Sequence, residues 1–177
     1  MNTRLMLAII VAAMCAACER PPVDYKAKGA ALLAPFKAEL KTALVAGMEA
    51  GPVEAISACS VEAPNISARL SVDGVLMGRS SHKLRNHRNA TPDWLASVLR
   101  GYADGSTALE PLALEIDIGR MGYVEPIVVQ AMCLTCHGET LSPEIAARID
   151  ESYPDDQATG FKVGDFRGVF WVEFPEY

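Results

Sequence analysis

Cys133-Leu134-Thr135-Cys136-His137 is the stretch of this chain whose residue types come closest to dictating a chemistry. Two thiols separated by two residues can each add across a vinyl group of haem. The histidine that follows then lies where its imidazole can bind the iron, which is the c-type attachment pattern. Other uses of CxxC fit less well. A zinc site needs a second Cys/His pair at ligand spacing, and the sequence has none. A thioredoxin-type CxxC starts a helix after a strand and has no need of the histidine. One covalent haem c is the expected cofactor.

The amino terminus points the same way. Arg4 precedes an unbroken apolar run, Leu5 to Met14, and the small residues Ala16 and Ala17. This reads as a signal peptide over residues 1–17, too short for a stable membrane span. Covalent haem attachment of this kind takes place outside the cytoplasm, so the two signals agree. Cys15-Ala16-Ala17-Cys18 resembles a lipobox, with Cys18 as the lipid anchor and acyl chains rather than a helix holding the membrane. Cys15 stands where Leu is usual, and ordinary cleavage nearby is the other reading. The expected location is the periplasm or the outer face of a membrane.

Of five cysteines, Cys15 leaves with the leader, Cys18 is the lipid site, and Cys133 with Cys136 hold haem. Cys59 is left over, and an odd exported thiol asks for a role. It is either a small packed core residue or the second axial ligand to iron. Met48, Met77, Met121, Met132, His82 and His87 compete for that position.

Removing residues 1–17 leaves 160, enough for one domain with a sizeable core. Loss of Arg4 takes the net charge from −6 to about −7. No basic cluster suggests nucleic acid, whereas an acidic surface suits a basic redox or signalling partner. Residues 18–24, with Pro21-Pro22, form a tether, and 25–177 a single domain.

Tyr25 to Met48 predicts a long helix, with Pro35 as a kink and Leu32, Leu33, Phe36, Leu40 and Leu44 as its core stripe. Pro52 opens a second helix that ends around Ser60, before Ala63-Pro64. Val75 to Ser80 is a strand. Thr91 and Pro92 begin a helix ended by Gly101 and Gly105. Leu112 to Gly119 and Tyr123 to Val129 are strands, the second marked as edge, bulge or strand start by Pro126. Ser142-Pro143-Glu144 opens a helix, and Val163 to Phe174 supplies the closing strand. The pattern is α+β with an antiparallel sheet.

Four blocks carry a more specific likeness: AISACSVEAPNIS (55–67), GRSSHKLRNHRNATPDW (78–94), EPIVVQAMCLTCHG (125–138) and YPDDQATGFKVGDFRGVFWVEF (153–174). In this order they resemble a family of extracytoplasmic PAS-like c-type haem domains, long catalogued as a domain of unknown function. The resemblance implies a PAS-like antiparallel sheet flanked by helices, preceded by a long N-terminal helix. It implies a single haem attached at Cys133 and Cys136, with His137 as proximal ligand and Cys59, in its ACSVEAP context, as the distal one. Arg69, Arg79, Arg85 and Arg88 lie in or near the shared loop block, and Arg79 and Arg85 are the first candidates to pair with haem propionates.

Thiolate ligation stabilises ferric iron and lowers the reduction potential. Departure of the sulfur on reduction would open a position for CO or NO. The expected role is a redox or gas-ligand sensing module passing its signal to a separate partner. A monohaem electron-transfer protein is the alternative. Peroxidase-like catalysis is a third reading, which needs His82 or His87 as a distal acid/base group.

Overall fold

The computed structural model of the chain describes residues 22–176; the leader and Cys18 lie outside them. Asp24 starts the first helix by accepting a hydrogen bond from the Ala27 N–H at 3.0 Å, which satisfies one of the unpaired first-turn donors. This helix, α1, runs Tyr25–Ala50, and Pro35 sits exposed within it without ending it. Its contact with the sheet is close. At Gly29 a Cβ would fall 2.2 Å from Tyr123 Cγ, so only glycine fits there.

The second helix does not stop where the sequence predicts. Helix α2 (Pro52–Ser57) passes into a π turn over Ala58–Glu62, and α3 (Ala63–Leu70) follows without a break. Pro64 is the physical reason. It has no N–H for the Ser60 carbonyl, and its ring would crowd that carbonyl in a regular helix. The Ala63 N–H instead reaches five residues back to the Ala58 oxygen, which widens the turn around the ring.

Four strands form one sheet: β1 (Leu76–Ser80), β2 (Leu112–Asp117), β3 (Arg120–Val128) and β4 (Phe166–Glu173). Their order is β1-β4-β3-β2, with every neighbouring pair antiparallel. On one face Leu33 and Phe36 of α1 and Ile66 of α3 pack on Met77, Tyr123, Val172 and Phe174. On the other, Leu99 and Tyr102 of α4 (Ala96–Asp104), with Leu95 of its 3₁₀ lead-in, cover Val124, Phe166 and Val169. Full burial of each such side chain is worth roughly 1.5–3 kcal/mol, so both helical layers are held firmly to the sheet. This is the α+β, PAS-like architecture implied by the resemblance.

Two sequence signals turn out differently. Thr91 does not cap α4. Its hydroxyl shares a 2.6 Å hydrogen bond with Ser80 Oγ, and the turn begins at Asp93. Gly105 ends α4 in the left-handed conformation, whereas Gly101 stays inside the helix. Pro126 lies in an interior strand, yet β2 pairing starts opposite Val124, so the strand is open on that side at Pro126. The register slips just beyond, between Ile127 and Val128.

After β3 come a 3₁₀ turn (Ala131–Cys133), the short α5 (Leu134–His137) and α6 (Pro143–Ser152). Ser142 Oγ caps α6 by accepting from the Ile145 N–H at 3.4 Å. Among the described residues, no helix is long and apolar enough to cross a membrane.

Candidate haem site

One cavity, about 1240 Å³ when counted out to its open mouth, gathers Cys59, Arg79, Arg85, Cys133, Cys136 and His137. Part of the α1 stripe serves this cavity, Leu40 while also packing against the sheet core. Leu33 and Phe36 are buried against the sheet, but Leu40 and Leu44, with Met48 one turn on, wall the cavity. They share a helical face with the core residues, and a stripe alone does not say what it will meet.

The Cys133–His137 segment is held from the far side by the chain around Ala158. Phe161 N–H donates to the His137 carbonyl and Gly160 N–H to the Gly138 carbonyl, both at 3.0 Å. His137 Nδ1 lies 2.6 Å from the Ala158 carbonyl oxygen. A carbonyl only accepts, so Nδ1 carries the proton and Nε2 keeps its lone pair for a metal. Burial, reinforced by the charges of Arg167 and Arg85, pushes His137 down to about 3, which keeps the imidazole neutral.

Arg85 completes this support. Its side chain is 8 % exposed, and its Nε and Nη2 donate to Asp156 Oδ1 and Oδ2 at 3.0 Å each. Nη2 also donates to the carbonyls of Cys136, at 2.7 Å, and Ala158, at 3.3 Å. The fork that the sequence offered to a propionate is thus engaged with the protein itself. Arg79 differs: its guanidinium has no hydrogen bond or ion pair among the described residues, and its surroundings include Cys59 and Tyr153.

Cys59 sits on the π turn and lines the cavity, as do Met48 and Met132. The other competitors lie elsewhere. Met77 is buried in the sheet core and Met121 packs against that core. His82 stacks on Phe166 at 5.4 Å between ring centroids, and His87 pairs with the exposed Asp155 at 3.3 Å. Among the described residues, Cys59, Cys133 and Cys136 form no disulfide. Burial pushes the Cys136 thiol up, with Arg85 pulling the other way.

Arg167 is the cavity residue that the sequence reading missed. Burial, with Arg85 and Arg79, lowers it to about 10, so it stays charged at neutral pH. Among the described residues the lining therefore holds three arginines and no carboxylate, and Asp156, behind it, is paired with Arg85. Arg167 Nε, a buried polar atom on this lining, has no hydrogen-bond partner among the described residues. Nor, among the described residues, do three His, Cys, Asp or Glu side chains converge as a site for a free ion. Two attachable thiols, a neutral imidazole, apolar walls and surplus cations are the donor set that haem, with its pair of propionates, requires.

A sequence model of the Tll0287-like family matches residues 23–175. The chain belongs to the Tll0287-like family. The match spans all four blocks on which the resemblance was read. Among solved structures, the crystal structure of the cyanobacterial heme-protein Tll0287 superposes with a TM-score of 0.66 at 22 % identity. The alignment covers 100 % of this chain and 98 % of that one, so the Tll0287-like fold extends over the whole domain. No curated protein matches.

Proposed function

We propose that this Tll0287-like chain is a c-type monohaem protein of the cell envelope that senses redox state or a small gas ligand. Cys133 and Cys136 would hold the cofactor through thioether bonds, with His137 and Cys59 as its axial ligands. The observation that carries this reading is the shared cavity. It brings Cys59, from the π turn, together with a His137 whose Nε2 is left free by the Ala158 hydrogen bond. The similar crystal structure is that of a heme-protein, which supports the choice of cofactor. Bound haem supplies an iron centre that cycles between ferric and ferrous and takes up small diatomic ligands. The chain's own residues orient the imidazole, supply sulfur and exclude water with Leu40, Leu44 and Phe170. A lipid anchor at Cys18, or cleavage beside it, belongs to the same proposal.

Electron transfer is the second reading. It draws on the acidic net charge and on Met132, 44 % exposed next to Cys133. Peroxidase-like catalysis has lost its candidate residues, because neither His82 nor His87 lines the cavity.

The test is expression with haem-maturation machinery, then optical and EPR spectra of wild type, Cys59→Ser and Met48→Leu. The expected result is covalent haem with a low-spin thiolate signature that only Cys59→Ser removes. A signature unchanged in Cys59→Ser overturns the axial assignment, and a chain without covalent haem overturns the cofactor. CO uptake by the reduced protein separates sensing from a fast, ligand-free redox couple.

A further inference from the structure

Arg167 reaches the cavity through a fault in strand alternation. On β4, Val169 and Trp171 face α4, while Phe170 and Val172 face α1. Strict alternation would place Arg167 with Val169, towards α4. The register breaks first. Ile127 pairs with Gly168 but Val128 pairs with Phe166, leaving Arg167 as the extra residue of a bulge. Phe166 accordingly rejoins Val169 on the α4 face, and Arg167 is turned into the cavity wall. Gly168 permits the slip. A Cβ there would fall 2.3 Å from the Ser80 carbonyl oxygen.

The guanidinium delivered in this way is only half committed. Nη1 donates to Ser81 Oγ at 2.7 Å and to the Lys83 carbonyl at 3.2 Å, and the cation lies over the Phe161 ring at 5.3 Å. Nε is buried without an acceptor among the described residues. The carboxylate in its electrostatic surroundings, Asp156, is taken by Arg85. A guanidinium meets a carboxylate best along a flat edge with two parallel N–H donors. Arg85 spends its Nε/Nη2 edge in that way on Asp156. Arg167 keeps the same edge unspent.

We propose that Arg167 anchors a carboxylate of the bound cofactor through its Nε/Nη2 edge, while Ser81 and the Lys83 carbonyl hold Nη1 in place. The proposal rests on the haem reading and deepens it: the carboxylate is a propionate, and the bulge exists to deliver its partner. Neither the CxxCH motif nor Cys59 is involved, so the anchor is testable separately from the axial ligands.

The experiment uses the haem-loaded protein and three variants, Arg167→Gln, Arg167→Lys and Ser81→Ala. Reduction potential is followed against pH, and redox-difference infrared spectra are recorded with ¹³C-labelled propionate carboxylates. An opposite charge at contact distance moves a carboxyl ionisation by about 1–3 units. Arg167→Gln is therefore expected to raise the propionate step by that amount and to shift its carboxylate bands. Arg167→Lys, which keeps the charge but not the edge, gives a smaller step change with altered bands. Ser81→Ala gives a still smaller change in both.

Wild-type steps and bands in Arg167→Gln, with haem attached and the visible spectrum intact, overturn the anchor and leave the haem reading standing. Should Arg167→Gln fail to accumulate, unaltered bands in both other variants overturn it equally. A wild-type chain without covalent haem overturns both proposals together.

Discussion

Arg85 and His137 meet on a single atom, the carbonyl oxygen of Ala158. His137 Nδ1 lies 2.6 Å from it and Arg85 Nη2 lies 3.3 Å from it. Arg85 also holds the Cys136 carbonyl, and its charge is balanced by Asp156. Imidazole orientation is thus fixed by a buried ion pair that reaches the motif only through main-chain oxygens.

Replacing Arg85 by Gln would leave the Asp156 carboxylate, 7 % exposed, without its cation. Breaking a buried pair from one side typically costs about 3–5 kcal/mol. The expected outcome is a loss of that order in urea denaturation, together with broadened EPR signals from a less firmly oriented imidazole.

Asp156 also sets an acid limit. Burial pushes its carboxyl up, but the Arg85 hydrogen bonds, the Ala158 N–H and the Arg85 charge outweigh burial and leave it below its ordinary value. A carboxyl so depressed binds fewer protons folded than unfolded. Its contribution is complete above the unfolded value of about 3.9 and is lost as pH falls through the folded value. Denaturation midpoints of wild type and Asp156→Asn should differ at pH 7 and converge below about pH 4. A constant gap across that range would remove Asp156 from the acid response.

Pro64→Ala restores the N–H that the Ser60 carbonyl lacks and removes the ring that widens the turn. A regular helix then becomes available to Ala58–Glu62 and would rotate Cys59 relative to the cavity. The expected result is a gain of about 1–3 kcal/mol in stability alongside a weakened thiolate signature. A more stable protein with an undiminished signature would show that the π turn does not position Cys59.

Gly168→Ala drives a methyl group against the Ser80 carbonyl across the β1·β4 ladder. Overpacking of this kind costs about 1–3 kcal/mol, and more where backbone must move. A lowered denaturation midpoint and a reduced yield of attached haem are expected, both read on the purified chain.

Chemistry was most legible where it is local. CxxCH is complete within five residues and needs no partner from the fold to be recognised. Alternation and turn residues placed β1, β2, β3 and β4 nearly correctly, because each has an apolar face with a short polar boundary. What escaped depends on neighbours distant in sequence. Pro64 read as a stop because a π turn leaves no composition signal. Thr91 read as a cap because its true partner, Ser80, lies on another element. Leu44 differs from Leu33 only in what stands opposite it, and Leu40 meets both core and cavity. Arg167 was hidden because strict alternation along β4 points it away from the cavity; the nearest hint was Gly168 inside an otherwise bulky strand.

The strand order carries a consequence for how the molecule comes into being. β4 lies between β1 and β3, although it is the last of these four strands to be synthesised. Until Phe166–Glu173 inserts, the sheet is two unjoined pieces, and the wall that bears Arg167 is missing. Cys133–His137 precedes that strand in the chain. On the proposed haem reading, an attachment enzyme would reach the thiols on a half-built domain, and β4 would close the chamber afterwards.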